Sequence, residues 1–193
     1  MLQVLSTLHG ENRNGTPWNV YPRPQMKRDS FLNLNGAWEF TAEPQGITRQ
    51  IQVPFCPESM LSGIREHFPE GGVLTYRRGC VLPEGFRRGR VLLHVGAADQ
   101  VADVYVNGIH VTHHEGGYDA FSADITEQLQ PENTVEIRCV DDLRIQDYPY
   151  GKQVLPEKRG GMWYTPVSGI WQSVWLESVP ETYIRKLNIE NRG

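Results

Sequence analysis

The sequence predicts an all-β protein, a jelly-roll β-sandwich. Three observations carry this expectation. Short segments with apolar residues at every second position recur along the whole chain, which is the period of a strand. An Asn-Gly pair, Asn107-Gly108, sits between two such segments, as a two-residue hairpin turn demands. No window repeats apolar residues at three and four over three turns, and strands do not alternate with helices, so helical and α/β architectures fail.

The elements follow in order. Residues 1–30 carry Pro17, Pro22 and Pro24 and little periodicity, and are expected to form an irregular arm on the body of the domain, anchored by Trp18 and Tyr21. The domain proper is expected over 31–179. Its first strand is predicted at 34–42, where Trp38 and Phe40 alternate with Ala37 and Glu39 after the Asn35-Gly36 turn. Ile51, Val53 and Phe55 alternate next, and Pro54 and Pro57 confine that strand to an edge or a short ladder. A short helix is expected at 60–66, followed by a Gly-rich loop. Strands at 74–82 and 90–95 are joined through 83–89, a link that suits a hairpin or a crossover between sheets. The hairpin at 101–113 is the clearest in the chain, and strands at 121–125 and 134–140 follow, with at most one helical turn between them. Residues 141–161 read as a long polar loop, and loops of that length are commonly functional. The last strand is predicted to run unbroken from Ile170 to Glu177, after a tight turn at 166–169, with large groups on both faces and therefore burial on both. About eight or nine strands result, and a jelly roll suits this length better than an immunoglobulin sandwich of ~100 residues.

Composition narrows the function classes. With 193 residues the chain is long enough to bury a core without covalent staples. Its net charge of −4, from 19 basic and 23 acidic residues, excludes a nucleic-acid footprint. No apolar run approaches the ~18 residues of a membrane span. The first 14 residues lack a basic segment followed by an apolar one, so no signal peptide is visible and the cytoplasm is favoured, with an exported location open if a leader was removed. Three separated cysteines, Cys56, Cys80 and Cys139, form no CxxC pair and are expected to act as small hydrophobes rather than as a disulfide framework or zinc site.

Candidate chemistry is spread thinly. Asp99, Asp103, Asp119, Asp141, Asp142, Asp147 and Glu157 are carboxylates, yet no pair is singled out by spacing for glycosidic hydrolysis. His110, His113 and His114 flank the hairpin, but adjacent strand residues point to opposite faces, so no metal or cofactor is expected. Ser168 lacks a GxSxG context. The loop into the last strand is richer: Asp147, Tyr148, Tyr150, Lys152, Gln153, Arg159, Trp163 and Tyr164 combine aromatic faces with hydrogen-bonding groups. That combination suits a carbohydrate, whose CH faces stack and whose hydroxyls need polar partners, and equally a protein interface.

Four segments carry a resemblance: PRPQMKRDSFLNLNGAWEF from Pro22, VPFCPES from Val53, DVYVNGIHV from Asp103 and SGIWQSVWLE from Ser168. In this order they resemble the N-terminal, sugar-binding domain of family 2 glycoside hydrolases, the family of β-galactosidases, β-glucuronidases and β-mannosidases. The resemblance implies a galactose-binding-domain-like jelly roll, followed in the parent enzyme by an immunoglobulin-like sandwich and a TIM barrel. The family's two catalytic glutamates belong to that barrel, so no catalytic residue is carried over and the chain alone is expected to be inactive. Residues 180–193 resemble the linker and the start of the next domain. The implied partners are a β-glycoside at the active-site rim and the remaining domains of the parent. Better-known β-galactosidases and β-glucuronidases of this family place an acidic sugar contact six positions before the glycine of the SGI-type motif; here that position holds Trp163, which the resemblance leaves as a stacking platform or simply as core. The substrate-contacting candidates are therefore Trp163, Tyr164, Asp147 and Tyr150, with Glu58 after the VPFCPE segment as the second place of approach.

Overall fold

The computed structural model describes residues 15–145, 147–155 and 160–193. Among the described residues there are twelve strands: β1 (Phe31–Asn33), β2 (Gly36–Glu43), β3 (Ile47–Val53), β4 (Val73–Cys80), β5 (Arg90–Val95), β6 (Ala98–Asp99), β7 (Val101–Val106), β8 (Ile109–Glu115), β9 (Phe121–Asp124), β10 (Asn133–Val140), β11 (Gly169–Ile170) and β12 (Val174–Val179). Two antiparallel sheets face each other, one ordered β1-β12-β5-β9 and the other β3-β2-β4-β10-β7-β8, while β6 and β11 form a short third ladder. The predicted all-β sandwich is what forms.

The alternation that predicted the strands is the alternation that buries them. On β2, Trp38, Phe40 and Ala42 point inward and Ala37, Glu39 and Glu43 outward. These pack with Leu74 and Tyr76 of β4 and with Ile137 and Cys139 of β10, against Val91, Leu93 and Val95 of β5 from the facing sheet. Phe40 meets the Tyr76 ring edge-on at 5.2 Å, a favourable aromatic geometry. All three cysteines are free thiols, and Cys139 is wholly buried in this core. Strand β3 lies at the sheet edge and ends just before Pro54, since a proline there has no N–H to offer a ladder. The link after β4 crosses from one sheet to the other. At the predicted hairpin, Asn107 and Gly108 take φ of 52° and 79°, the two positive angles of a type I′ turn.

Four expectations need correction. The 60–66 helix is only a 3₁₀ turn at Met60–Ser62, capped by the Ser59 hydroxyl and stopped by Gly63 at φ 84°. Strand β1 was not foreseen, and Asn35-Gly36 turns a corner between sheets. No turn occupies 166–168; the turn lies earlier, with Trp163 N–H bonded to the Gly160 carbonyl at 3.2 Å.

The predicted final strand is also broken, at Trp171–Ser173, into β11 and β12. The backbone there finds partners outside either ladder: Trp171 N–H bonds Ala97 O (3.3 Å), Gly96 N–H bonds Ser173 O (2.8 Å), and Val174 N–H bonds the buried Asn35 Oδ1 (3.0 Å). Asn35 also donates to Pro17 O and Ser173 Oγ, so its amide is fully engaged. Every residue of β12 is buried, as its large groups on both faces predicted.

Before β1, Trp18 packs on Phe55 (5.6 Å between rings) and Tyr21 on Phe31 (5.2 Å), and Tyr21 Oη donates to Glu177. Residues 1–14 of the expected arm lie outside the described residues. After β12 the chain carries no further strand, and Ile184 accepts a bond from Arg28.

Gly169 opens β11 at φ 67°, and a Cβ there would stand 2.1 Å from the Tyr76 hydroxyl. Gly169→Ala therefore combines backbone strain with a clash against a buried phenol and should cost about 2–4 kcal/mol. Equilibrium urea unfolding measures this; a loss below about 1 kcal/mol would mean the last strand can shift away from Tyr76 at little cost.

Candidate functional site

At one end of the sandwich the connection from β10 to β11, residues 141–168, lies across β6 and the β8–β9 turn. Gln153 pins it. Its side chain is almost wholly buried, and Nε2 donates to Asp99 Oδ2 at 2.9 Å and to Tyr118 Oη at 3.3 Å, while Oε1 accepts from Val167 N at 2.6 Å. Asp99 itself is held by the ladder, where it pairs with Gly169, and its carboxylate lies so close to Gly117 that a Cβ there would be 2.1 Å from Oδ1. Only glycine fits beneath that carboxylate. Trp171 Nε1 donates to Gly117 O (2.8 Å), and Tyr118 meets the Trp171 ring edge-on at 6.1 Å.

Above this base the backbone of Tyr164 bonds to Lys152 O (2.8 Å) and accepts from Val154 N (3.3 Å), forming a small bridge between the two limbs of the loop. The bridge carries Met162, Trp163 and Tyr164 outward, at 60%, 44% and 61% exposure. Large apolar groups so exposed on a backbone so tied are what a binding surface requires. Lys152 Nζ stands 5.8 Å from the Tyr164 ring centre. Tyr118, also half exposed, completes the aromatic group, and Gly151 lies against its hydroxyl.

Of the predicted site residues, Trp163 and Tyr164 share this tip, while Tyr150 is half-buried and Asp147 exposed in the same connection. Glu58 is placed differently. Its side chain is only 4% exposed; Oε1 accepts from Ser168 Oγ (2.7 Å) and lies 3.3 Å from His67 Nδ1. His67 Nε2 continues to Glu70 Oε1 at 3.1 Å, and Glu70 Oε2 accepts from Leu143 N at 2.6 Å. The space beside His67, Glu70, Asp141 and Ser168 is about 10 Å³, no more than one water needs. Glu58 thus belongs to a buried polar network that fastens both ends of the loop. Tyr118, Gly117 and His67 were not singled out by sequence, because their roles arise from contacts across the fold; Arg159 and Glu157 lie outside the described residues. His110 and His113 both meet Asp103 Oδ1 (2.8 and 2.9 Å), and among the described residues no group of three His, Cys, Asp or Glu is placed to hold a metal ion.

Burial, reinforced by the charges of Asp99, Glu70 and Glu58, pushes the Asp141 carboxyl up to about 8. Burial also raises Asp99 to about 6, against the bond from Gln153. The bonds to Glu58 and Glu70 raise His67 to about 9. For the two acids, folded values above the ordinary 3.8 mean that the folded state prefers the proton, so stability declines as pH rises from about 4 through about 6 and 8. The His67 contribution is complete below its ordinary 6.5 and is lost as pH rises through about 9. The signs agree. The thermal midpoint should fall by roughly 3 °C or more between about pH 5 and pH 9, and Asp141→Asn should flatten the fall. A wild-type midpoint constant over that range would contradict the burial of these acids.

The chain matches no family model. It is 30% identical over 209 residues to a β-glucuronidase of Rattus norvegicus, covering 88% of this chain and 32% of that protein. It is 28% identical over 159 residues to a β-galactosidase of Thermoanaerobacter pseudethanolicus, covering 79% of this chain and 20% of that one. Among solved structures, the β-D-glucuronidase of Dictyoglomus thermophilum superposes with a TM-score of 0.60 at 25% identity, over 89% of this chain and 32% of that one. The chain therefore spans a fifth to a third of the length of these relatives. By sequence and fold together, it is homologous to a β-sandwich portion of the family 2 glycoside hydrolases.

Proposed function

We propose that this chain is the non-catalytic, N-terminal sugar-binding sandwich of a retaining β-glycosidase, which packs on a catalytic barrel and contributes one wall of its substrate rim. The observation that carries the reading is the tip at Met162, Trp163 and Tyr164, exposed at its side chains yet fixed at its backbone by the bridge from Tyr164 to Lys152 and Val154, beside which Gln153 is pinned to Asp99. An aromatic face held in place can stack on a sugar ring without the entropy cost of ordering a loop at each binding event. Trp163 and Tyr164 supply the stacking surface, and Asp147 and Tyr150 supply polar groups from the same connection. Glu58 acts from beneath, holding Ser168 and with it the start of β11. β-Glucuronidase and β-galactosidase relatives make an O-glycosidic substrate the natural class.

In the full-length enzyme, Trp163→Ala should lower kcat/KM on β-glycosides by about tenfold, mostly through KM, with the thermal midpoint unchanged. Unchanged kcat/KM on every β-glycoside tried would remove Trp163 from the rim. The isolated chain should not turn over chromogenic β-glycosides, because the carboxylate pair that such chemistry needs is expected in the barrel. Turnover abolished by mutating one acid of this chain would overturn the reading.

A second reading, an autonomous carbohydrate-binding module, draws on the same exposed aromatics. Calorimetric titration separates the two: heat with millimolar oligosaccharide favours the module, and no heat favours a rim completed only by other domains.

A further inference from the structure

The outer face of the four-stranded sheet holds a cavity that shares no residue with the loop assembly above. Its volume is about 290 Å³, close to the lower size of small-molecule sites. Its floor is Leu92 and His94 of β5 with Glu177 of β12, and its walls come from the segment before β1 and from the segment after β12. Four guanidinium groups surround it, those of Arg23, Arg28, Arg90 and Arg185, against two carboxylates, those of Asp124 and Glu177.

The two carboxylates are already committed. Glu177, 2% exposed, takes Arg23 at 2.8 Å and the Tyr21 hydroxyl; burial would raise it, but His94, Tyr21 and Arg23 hold it down at about 2, so it stays ionised. Asp124 accepts from Thr126 and stands 3.8 Å from Arg90, which also approaches Glu181 at 3.5 Å. Arg28 and Arg185 have no carboxylate partner among the described residues. Arg28 instead bonds the Ile184 carbonyl and lies over the Tyr183 ring at 5.8 Å, which fixes its fork at the cavity wall.

Hydrogen bonding is also incomplete. Arg23 Nε and Arg28 Nε are buried N–H donors with no acceptor, while His94 Nε2 lies 3.0 Å from Glu177 Oε1. Buried donors are nearly always satisfied in folded proteins, and an excess of guanidinium groups over carboxylates around one cavity is the usual character of a site for a planar or tetrahedral oxyanion. We propose that this cavity binds a small oxyanion, a carboxylate- or phosphate-bearing molecule no larger than a monosaccharide, with Arg28 and Arg185 as its principal charge partners.

The test is titration of the 193-residue chain with inorganic phosphate, with citrate and with glucose, followed by calorimetry and by the arginine Nε–H signals in NMR at low salt. Phosphate or citrate should bind with a Kd of about 1 mM or tighter and move the Arg28 signal, while glucose should not. Preference between the two anions assigns the ligand to the phosphates or the carboxylates. Arg28→Met and Arg185→Met should each weaken binding by about tenfold without lowering the thermal midpoint, and Trp163→Ala should leave it unchanged. The proposal is overturned if neither anion binds, if both arginine variants bind as the parent does, or if chloride at matched ionic strength reproduces the spectral change.

Discussion

The structure depends on a constraint at its C-terminal end: eleven residues, 169–179, must pair with two different ladders. A strand cannot serve both without a break, and a break leaves backbone N–H and C=O groups in the interior where water cannot reach them. Asn35 resolves this. As a buried amide it can donate and accept at once, and it bonds Val174 N–H, Ser173 Oγ and Pro17 O together. Gly96 gives the other side of the break room to approach, since a Cβ there would lie 2.8 Å from Gln172 Cβ. From that junction β12 runs into the four-stranded sheet between β1 and β5, and β11 runs back to hold β6 and Asp99.

The candidate site inherits its rigidity from the same junction. Asp99 is set by its pairing with Gly169, Gln153 by Asp99, and the Trp163–Tyr164 tip by the bridge beside Gln153. On the other side, Glu58 reaches Ser168, one residue before β11. The network that does this is strongly acidic: Glu58, Glu70, Asp99 and Asp141 lie close together around His67, with Arg144 at the Glu70 end. Such a network is favourable only while some of its carboxyls keep their protons, so a rigid loop comes with a dependence on pH.

Much of the fold was legible because strands advertise themselves by alternation. Trp38 and Phe40, Leu74 and Tyr76, and Val104 and Val106 each show the inward set directly, and Asn107-Gly108 fixes the register of its hairpin through positive φ. Alternation also misled, because Ile170 to Glu177 keeps its period of two across a stretch where the hydrogen-bond partners change; side-chain pattern reports faces, not partners. The helix at 60–66 failed for a local reason, since Gly63 takes a left-handed φ one residue after Ser62 and ends the turn. At the site, the exposed aromatic tip could be read from composition. The inward turn of Glu58 could not, because it depends on His67 and Ser168, nine and 110 residues away.

Trp163 joins these two levels. At the position where the family resemblance implies an acid, this chain carries an indole on a fixed backbone. An acid discriminates among hydroxyl patterns through hydrogen bonds with strict geometry, whereas an indole recognises the apolar face of a ring and tolerates changes at its edge. The polar groups that remain nearby, Asp147 and Tyr150, sit on a separate limb of the connection from the Met162–Tyr164 tip. If the tip forms one wall of a substrate rim, that wall selects for ring shape and leaves recognition of individual hydroxyls to the groups facing it.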